Sequence, residues 1–185
     1  FTAEFRENAK RQSTVLVVDD HDLARAVLTQ ILESAGYAVM AAENAEQALS
    51  MAAETAPDAF IIDVEMPGIN GYELCERLRG DSRYRFIPII MMTAFDQASV
   101  LRRAFAAGCD DFFSKPLEPT VVIARLNGQL QKYEIFQQLD RMRRNLARYI
   151  SPRLRRLIEQ SDKPSEQLPP QEREVCILFS DIRGF

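Results

Sequence analysis

The sequence is poor in the residues that most catalytic and metal sites use. Its 185 residues include one histidine, no tryptophan and three cysteines, at Cys75, Cys109 and Cys176. The cysteines are far apart and form no CxxC pair, which argues against a zinc site or a disulfide framework. A single histidine nearly excludes a histidine-based metal centre or a Ser-His-Asp triad. Any chemistry of this chain is therefore expected to rest on other side chains.

Long apolar runs and an excess of positive charge are also missing. No run approaches the roughly 20 apolar residues that span a bilayer, and no signal peptide is visible. The net charge of -4 gives no overall attraction to nucleic acid or to an anionic membrane. Hydrophobic residues at 46% and charged residues at 27% suit a soluble globular protein with a substantial core. These features predict a cytoplasmic protein. The first residue is Phe rather than Met, so we expect a trimmed chain.

Five short apolar runs alternate with helical patterns between residues 14 and 131. The runs typical of strands are TVLVVDD, YAVMAA, AFIIDV, IPIIMMTA and DFFSKP. Asn44 is expected to cap the second helix, and Gly36 and Gly108 to end the first and the fourth. Strands that alternate with helices predict βαβ units. The predicted fold is therefore α/β, a doubly wound five-stranded parallel sheet, with a ligand crevice at the carboxyl ends of the strands.

A long helical extension is predicted after the sheet. From Glu118 to about Ile150 the chain has no proline and only one glycine. Its apolar residues keep steps of three and four, but successive steps of three from residue 133 to residue 142 break a clean heptad. A helix of about 30 residues is roughly 45 Å long, and its expected partner is a second copy of itself in a coiled coil. The predicted organisation is a tail (1–13), the sheet domain (14–131), a helical linker (132–160), a Pro-rich linker (161–172) and a further strand (173–185).

Polar side chains follow four of the predicted strands at their carboxyl ends. They are Asp19 and Asp20, Asp63, Thr93 and Lys115. Each alone has an ordinary explanation, since an aspartate can cap a helix and a lysine can lie on the surface. Together, the clustered carboxylates need a cation, and oxygen ligands favour Mg²⁺. The metal, Lys115 and the Thr93 hydroxyl form a site for a phosphoryl group, and Asp63 is placed to be the nucleophile.

Residues 14–131 resemble the receiver domain of bacterial two-component response regulators. The resemblance implies that the predicted parallel sheet is flavodoxin-like. The resemblance rests on VLVVDD, IIDVEMPGING, IIMMTA and DDFFSKP. It implies that a sensor histidine kinase phosphorylates Asp63. It also implies that Asp20, Asp63 and the backbone carbonyl of Glu65 bind Mg²⁺ directly, with Asp19 acting through water.

The resemblance also implies a switch around the phosphoryl group. Lys115 is expected to bridge to the phosphoryl oxygens, and the Lys115–Pro116 bond is expected to be cis. The Thr93 hydroxyl is expected to move onto the phosphoryl group, and Phe112 to fill the space that it leaves. A plain core phenylalanine is an equally good interpretation of Phe112. Ala94 is small and leaves access to the site.

The last 13 residues, REVCILFSDIRGF, resemble the first strand of a class III adenylate/guanylate cyclase domain. Phe179, Asp181, Ile182 and Phe185 match the pattern F-x-D-I-x-x-F, in which the aspartate is one of two metal ligands. The first strand of another α/β domain is the ordinary alternative. Two-metal chemistry needs a second carboxylate, so these 185 residues are expected to hold a truncated start and an incomplete metal site. The implied output is a nucleotide cyclase that phosphorylation regulates.

Two other functions stay open at this point. An arginine-rich run over residues 141–156 allows a fragment of a DNA-binding transcriptional regulator. The run precedes no helix-turn-helix pattern, and a solvated helix face is its commoner explanation, so nucleic-acid binding is not expected. The third possibility is a receiver that acts only by docking to a partner.

Overall fold

The computed structural model describes residues 12–94 and 98–147. Within them five strands alternate with five helices. In chain order these are β1 (Thr14–Val18), α1 (Asp22–Ser34), β2 (Ala38–Ala42), α2 (Ala45–Glu54), β3 (Ala59–Asp63), α3 (Gly71–Gly80), β4 (Ile89–Thr93), α4 (Ala98–Ala106), β5 (Asp111–Ser114) and α5 (Pro119–Ala147). None of the described helices combines the length and the apolarity needed to cross a membrane.

The five strands form one parallel sheet in the order β2-β1-β3-β4-β5. Strands β3 and β4 are buried along their whole length. Burial on both faces explains why their sequences are continuous apolar runs rather than alternating ones. The strand order reverses between β1 and β3, and the crevice of such a sheet lies at that point, beyond the carboxyl ends. The predicted flavodoxin-like fold is confirmed.

Helices cover both faces of the sheet, and the core has two layers. Alternate residues of β1 and β3, such as Leu16 and Phe60, pack with α2, α3 and α4. The residues between them, such as Val17 and Ile61, pack with α1 and α5. The period of two along each strand therefore divides the apolar side chains between the two layers.

The helix ends follow local rules that the sequence displays. The Asn44 side chain accepts a hydrogen bond from the Gln47 N–H at 2.8 Å, which is the predicted cap of α2. Gly36 follows the end of α1 with φ of 89°, and Gly108 follows the end of α4 with φ of 96°. Both angles lie in the left-handed region that favours glycine.

Helix α5 runs for 29 residues and begins one residue after Glu118. The chain divides into two compact units, and the division falls between Gln138 and Leu139. In the first unit, Tyr133 of α5 still packs against the core layer of α2, α3 and α4. Residues 148–185, which hold the end of the predicted helical linker, the Pro-rich linker and the cyclase-like strand, lie outside the described residues, as do residues 1–11.

Candidate functional site at the carboxyl edge of the sheet

The structure brings the predicted strand-end residues to one edge of the sheet. Asp19 follows β1, Asp63 ends β3, Thr93 ends β4 and Lys115 follows β5. The register pairs Asp63 with Met92 and Thr93 with Ser114, so these ends lie side by side. Asp19, Asp63 and Thr93 are each at most 3% exposed. The carboxyl edge of the sheet therefore gathers three buried polar side chains into one pocket.

Lys115 is the cation that balances the two buried carboxylates. Its Nζ lies 3.0 Å from Oδ2 of Asp19 and 3.1 Å from Oδ2 of Asp63. Burial would lower the pKa of Lys115, but the hydrogen bond to Asp19 and the charges of Asp63 and Asp19 outweigh burial and raise it. Burial raises the pKa of Asp63, and the positive charge of Lys115 opposes that rise. Lys115 is thus an ammonium ion shared by two carboxylates.

The loop after β1 holds Asp19 by its backbone as well as by its side chain. The Asp19 N–H donates to the Ala42 carbonyl at 3.2 Å, and the His21 N–H donates to Oδ1 of Asp19 at 2.9 Å. The Arg25 guanidinium donates to the Asp19 carbonyl at 2.6 Å and to Oδ1 of Asp22 at 2.5 Å. Sequence reasoning missed Arg25, although its place one turn into α1 puts it beside this loop.

The acidic side of the pocket fits a hard cation. One ligand atom each from Asp19, Asp20, His21 and Asp63 lies within 4.8 Å of the others. Three of these donors are carboxylate oxygens, the ligands that Mg²⁺ prefers in proteins. The imidazole Nδ1 of His21 lies 3.0 Å from Oδ1 of Asp20, and the His21 side chain is largely exposed. Sequence reasoning set this histidine aside, although it follows Asp20 directly.

The loop between β3 and α3 fixes the backbone of Asp63. The Val64 N–H donates to the Met92 carbonyl at 2.9 Å, and the Gly71 N–H donates to the Val64 carbonyl at 3.1 Å. A Cβ at Gly71 would lie 2.2 Å from the Asp63 carbonyl oxygen. Only glycine allows α3 to begin this close to the strand end. Glu65, in the same loop, has an exposed side chain.

The proposed switch residues lie on β4 and β5. Thr93 is buried, and Ala94 after it is exposed. Phe112 is half-buried, with its ring edge-on to Phe105 at 6.0 Å between centroids. The Arg125 guanidinium carbon lies 5.7 Å from the Phe112 ring centroid. Phe112 therefore packs against the core with part of its side chain exposed.

The turn after β5 places Lys115 next to β4. The Lys115 N–H donates to the Thr93 carbonyl at 2.8 Å, and the Lys115–Pro116 peptide bond is cis. The cyclase-like motif with Asp181 lies outside the described residues. Cys75 and Cys109 are buried free thiols.

Sequence comparison agrees with the resemblance of residues 14–131 to a receiver domain. The family model of the response regulator receiver domain matches residues 15–127. The phosphate regulon transcriptional regulatory protein PhoB of Pseudomonas aeruginosa is 37% identical over 119 residues, which cover 64% of this chain and 52% of PhoB. The response regulator PleD of Caulobacter vibrioides is 35% identical over 112 residues, which cover 60% of this chain and 25% of PleD.

Comparison with solved structures agrees with the sequence matches. The chemotaxis protein CheY4 of Vibrio cholerae superposes with a TM-score of 0.61 at 32% identity, covering 63% of this chain and 97% of CheY4. The match thus covers nearly all of the CheY4 structure but about half of the length of PhoB. The match of the family model over most of the chain and the pocket at the sheet edge lead to one assignment: this chain belongs to the response regulator receiver domain family.

Proposed function

We propose that Asp63 accepts a phosphoryl group from a sensor histidine kinase and that the chain passes this signal to an output domain. Receiver domains take phosphate from histidine kinases and bind Mg²⁺ at an acidic pocket. The observation that carries the proposal is the position of the Asp63 carboxylate. It ends β3, is 3% exposed and lies 3.1 Å from the Lys115 ammonium. A carboxylate needs no general base to attack phosphorus, so the pocket requires no histidine for this step.

The transfer exchanges one bond to phosphorus for another. A carboxylate oxygen of Asp63 forms the new O–P bond while the P–N bond of the kinase's phosphohistidine breaks, and the imidazole nitrogen keeps the electron pair. Negative charge is spread over the equatorial oxygens of the transferring group. Lys115 stays protonated at neutral pH because its pKa is raised, and it is placed to bind one of these oxygens. The product adds close to two negative charges to the pocket.

The cation that we propose for this pocket is Mg²⁺. Asp20, Asp63 and the backbone carbonyl of Glu65 would hold it directly, and Asp19 through water. When bound, the ion neutralises charge on the carboxylates and on the phosphoryl oxygens. The close approach of the carboxylate oxygens supports this assignment, since three acids and one lysine leave net negative charge in the pocket.

Phosphorylation of the intact chain by a small acyl phosphate with Mg²⁺ tests the site. We expect intact mass spectrometry to show one added phosphoryl group on the wild type and none on Asp63→Asn. Asp58→Asn is the matched control, because Asp58 precedes the same strand at its opposite end and an asparagine can still accept the 2.8 Å hydrogen bond from the Thr14 N–H. Phosphoryl uptake by Asp63→Asn at the wild-type rate would show that another residue is the acceptor.

We propose that the switch is read out through Thr93 and Phe112. The Thr93 hydroxyl would move onto the phosphoryl group, and the Phe112 ring would turn into the space that it leaves. The half-buried position of Phe112 beside Phe105 supports a ring that can adopt two positions. The exposed Ala94 leaves the phosphoryl group accessible. The face of α4, β5 and α5 would change as a result.

We also propose that the chain dimerises through α5 and continues into an output domain. Among the described side chains of α5, three large apolar ones are more than half exposed, namely Ile135, Leu139 and Met142. Their separations of four and three residues are those of a coiled-coil seam. The proposed organisation remains a tail (1–13), a receiver (14–131), a helical linker (132–160), a Pro-rich linker (161–172) and a strand of a further domain (173–185).

The output domain that we propose is a class III nucleotide cyclase, on the strength of the motif around Asp181. A transcriptional regulator is the second candidate, because PhoB is named as one and matches this chain over the receiver. A longer chain that extends past residue 185 separates the two. Synthesis of a cyclic nucleotide from ATP or GTP supports the first, and salt-dependent retention on DNA without any cyclase activity supports the second.

A further inference from the structure

One aromatic contact lies outside the phosphorylation pocket and joins α5 to a loop of the receiver. The rings of Phe86 and Phe136 have centroids 4.8 Å apart and planes tilted by 38°. Phe86 lies in the loop between α3 and β4, and Phe136 lies on α5. They remain 59% and 41% exposed, so neither is an ordinary core residue. Core packing alone therefore does not explain why these two partly exposed rings lie in contact.

The loop that carries Phe86 is held firmly on both sides of this residue. Tyr84 and Ile87 are nearly fully buried, and the Tyr84 ring packs edge-on to Phe60 at 5.9 Å. The Arg79 guanidinium donates to the carbonyls of Tyr84 at 3.1 Å and Ile87 at 2.8 Å. It also donates to the carbonyl of Arg85 at 3.3 Å. The loop is therefore a fixed support that presents the Phe86 ring outward.

Arg79 also ties this loop to the starts of two strands. Its guanidinium donates to the Gly108 carbonyl at 2.8 Å and to Oδ2 of Asp110 at 2.6 Å. The same carboxylate oxygen accepts the Ile89 N–H at 2.8 Å. Ile89 begins β4 and Asp110 precedes β5, the strands that carry Thr93 and Phe112. The hydrogen bonds of Arg79 and Asp110 therefore connect the loop that carries Phe86 to the starts of β4 and β5, the strands that end in the pocket.

One face of α5 contacts the receiver from Leu126 to Phe136. Leu126 is fully buried, Gln129 is 8% exposed and Tyr133 packs against the core. Phe136 follows at the next step of three, so all four residues lie on one side of the helix. The first compact unit of the chain ends two residues later, at Gln138. The contact face therefore reaches beyond residue 127, where the match to the receiver family ends.

We propose that Phe86 is an anchor that makes residues 128–138 of α5 part of the receiver body. The anchor holds residues 128–138 against the receiver, because a helix segment held at Tyr133 alone could pivot about that contact. It also removes Tyr133 and Phe136 from any seam between two helices. Among the described side chains of α5, the large apolar ones that are more than half exposed, and so remain for a second copy, are Ile135, Leu139 and Met142. This inference concerns the unphosphorylated chain and does not depend on the proposed output domain.

Amide hydrogen exchange of the intact 185-residue chain, followed by mass spectrometry, tests the anchor. Phe86→Ala and Phe136→Ala are each expected to speed exchange in residues 131–138 by about 2- to 10-fold, the value of an aromatic pair. The double variant is expected to exchange no faster than the single ones, because either change removes the whole contact. Phe105→Ala is the matched control, since Phe105 is also a half-exposed phenylalanine but lies on α4.

Two further measurements keep the result decisive. Exchange of peptides from β1 and β3 reports whether a variant unfolds as a whole, and Phe86→Leu replaces Phe86→Ala if it does. Repeating the experiment at tenfold lower protein concentration separates the anchor, which is intramolecular, from protection by a second copy. Unchanged exchange in residues 131–138 of the Phe86 variant would overturn the proposal, as would protection that disappears on dilution in the wild type. Failure here leaves phosphorylation at Asp63 untouched.

Discussion

Two carboxylates share one ammonium group at the carboxyl edge of the sheet. Asp19 and Asp63 both lie about 3 Å from Nζ of Lys115, and both are almost completely buried. Burial removes water from Asp63 and raises its pKa more than the lysine lowers it. The ionised Asp63 that phosphoryl transfer needs is therefore less favoured in the folded protein than it is in the unfolded chain.

This electrostatic arrangement predicts that removing the Asp63 charge stabilises the fold. The folded-state pKa of Asp63 is raised above its ordinary value of 3.8, so the folded state binds the proton more tightly than the unfolded chain does. The tighter binding of this proton stabilises the folded state fully at a pH below the pKa of Asp63 in the unfolded chain. This stabilisation is lost as pH rises through the pKa of Asp63 in the folded state. At pH 7.5 without divalent cations, Asp63→Asn is expected to raise the free energy of unfolding by on the order of 1 kcal/mol.

Urea unfolding at pH 7.5 and pH 4.5, in the presence of a chelator, measures this effect. The difference between wild type and Asp63→Asn should shrink at the lower pH, because the wild-type carboxyl group is then partly neutral. Asp58→Asn serves as the reference for an aspartate outside the pocket. A less stable Asp63→Asn protein at pH 7.5 would mean that the ion pair with Lys115 outweighs the effect of burial.

The junction between β3 and α3 shows how one helix is positioned by a missing side chain. A Cβ at Gly71 would lie 2.2 Å from the Asp63 carbonyl oxygen, which is backbone and cannot move aside easily. Gly71→Ala is expected to lower the free energy of unfolding by about 1–3 kcal/mol. It is also expected to slow phosphoryl uptake, because α3 can fit only if the Asp63 backbone shifts.

Gly80→Ala is the matched control for this prediction. Gly80 ends the same helix, and a Cβ added there would meet no described atom within 4 Å. Its expected effect is neutral, or a gain of up to about 1 kcal/mol from the better helix propensity of alanine. Denaturant midpoints and the rate of phosphorylation by an acyl phosphate measure both variants. Equal effects of the two substitutions would show that the close approach at Gly71 is unimportant.

At the scale of secondary-structure elements, the sequence predicts the features that depend on a periodic pattern or on residues close together in the chain. The apolar runs located all five strands, and Asn44 located the start of α2. The pocket could be predicted too, because parallel strands must bring Asp63, Thr93 and Lys115 to the same edge. What could not be predicted are contacts between residues far apart in the chain. The hydrogen bonds of Arg79 to the loop before β5 have no periodic signal in the sequence.

The extension of α5 shows the same limit more sharply. Its apolar residues run at steps of three and four, and the sequence alone offered them all as one seam. In the structure Tyr133 packs on the core and Phe136 on Phe86, while Ile135 and Leu139 are more than half exposed. Whether an apolar residue faces its own domain or a partner depends on which surface lies beside it, and the helical period does not contain that information. The successive steps of three therefore join residues from two different faces of the helix, one that packs on the receiver and one that is exposed.

At the scale of the whole molecule, the exposed apolar side chains of α5 predict a homodimer with a defined seam. Leu139→Glu is expected to shift the intact chain from a dimer toward its monomer mass of 21.1 kDa, because a charge in an apolar seam is left without water. Gln137→Glu adds the same charge on the opposite side of the helix from these side chains and should leave the dimer intact. Sedimentation equilibrium in high salt measures both, since an apolar interface resists screening. If the two variants dissociate equally, the seam is elsewhere on the chain, and a wild type that stays monomeric at every concentration contradicts the dimer itself.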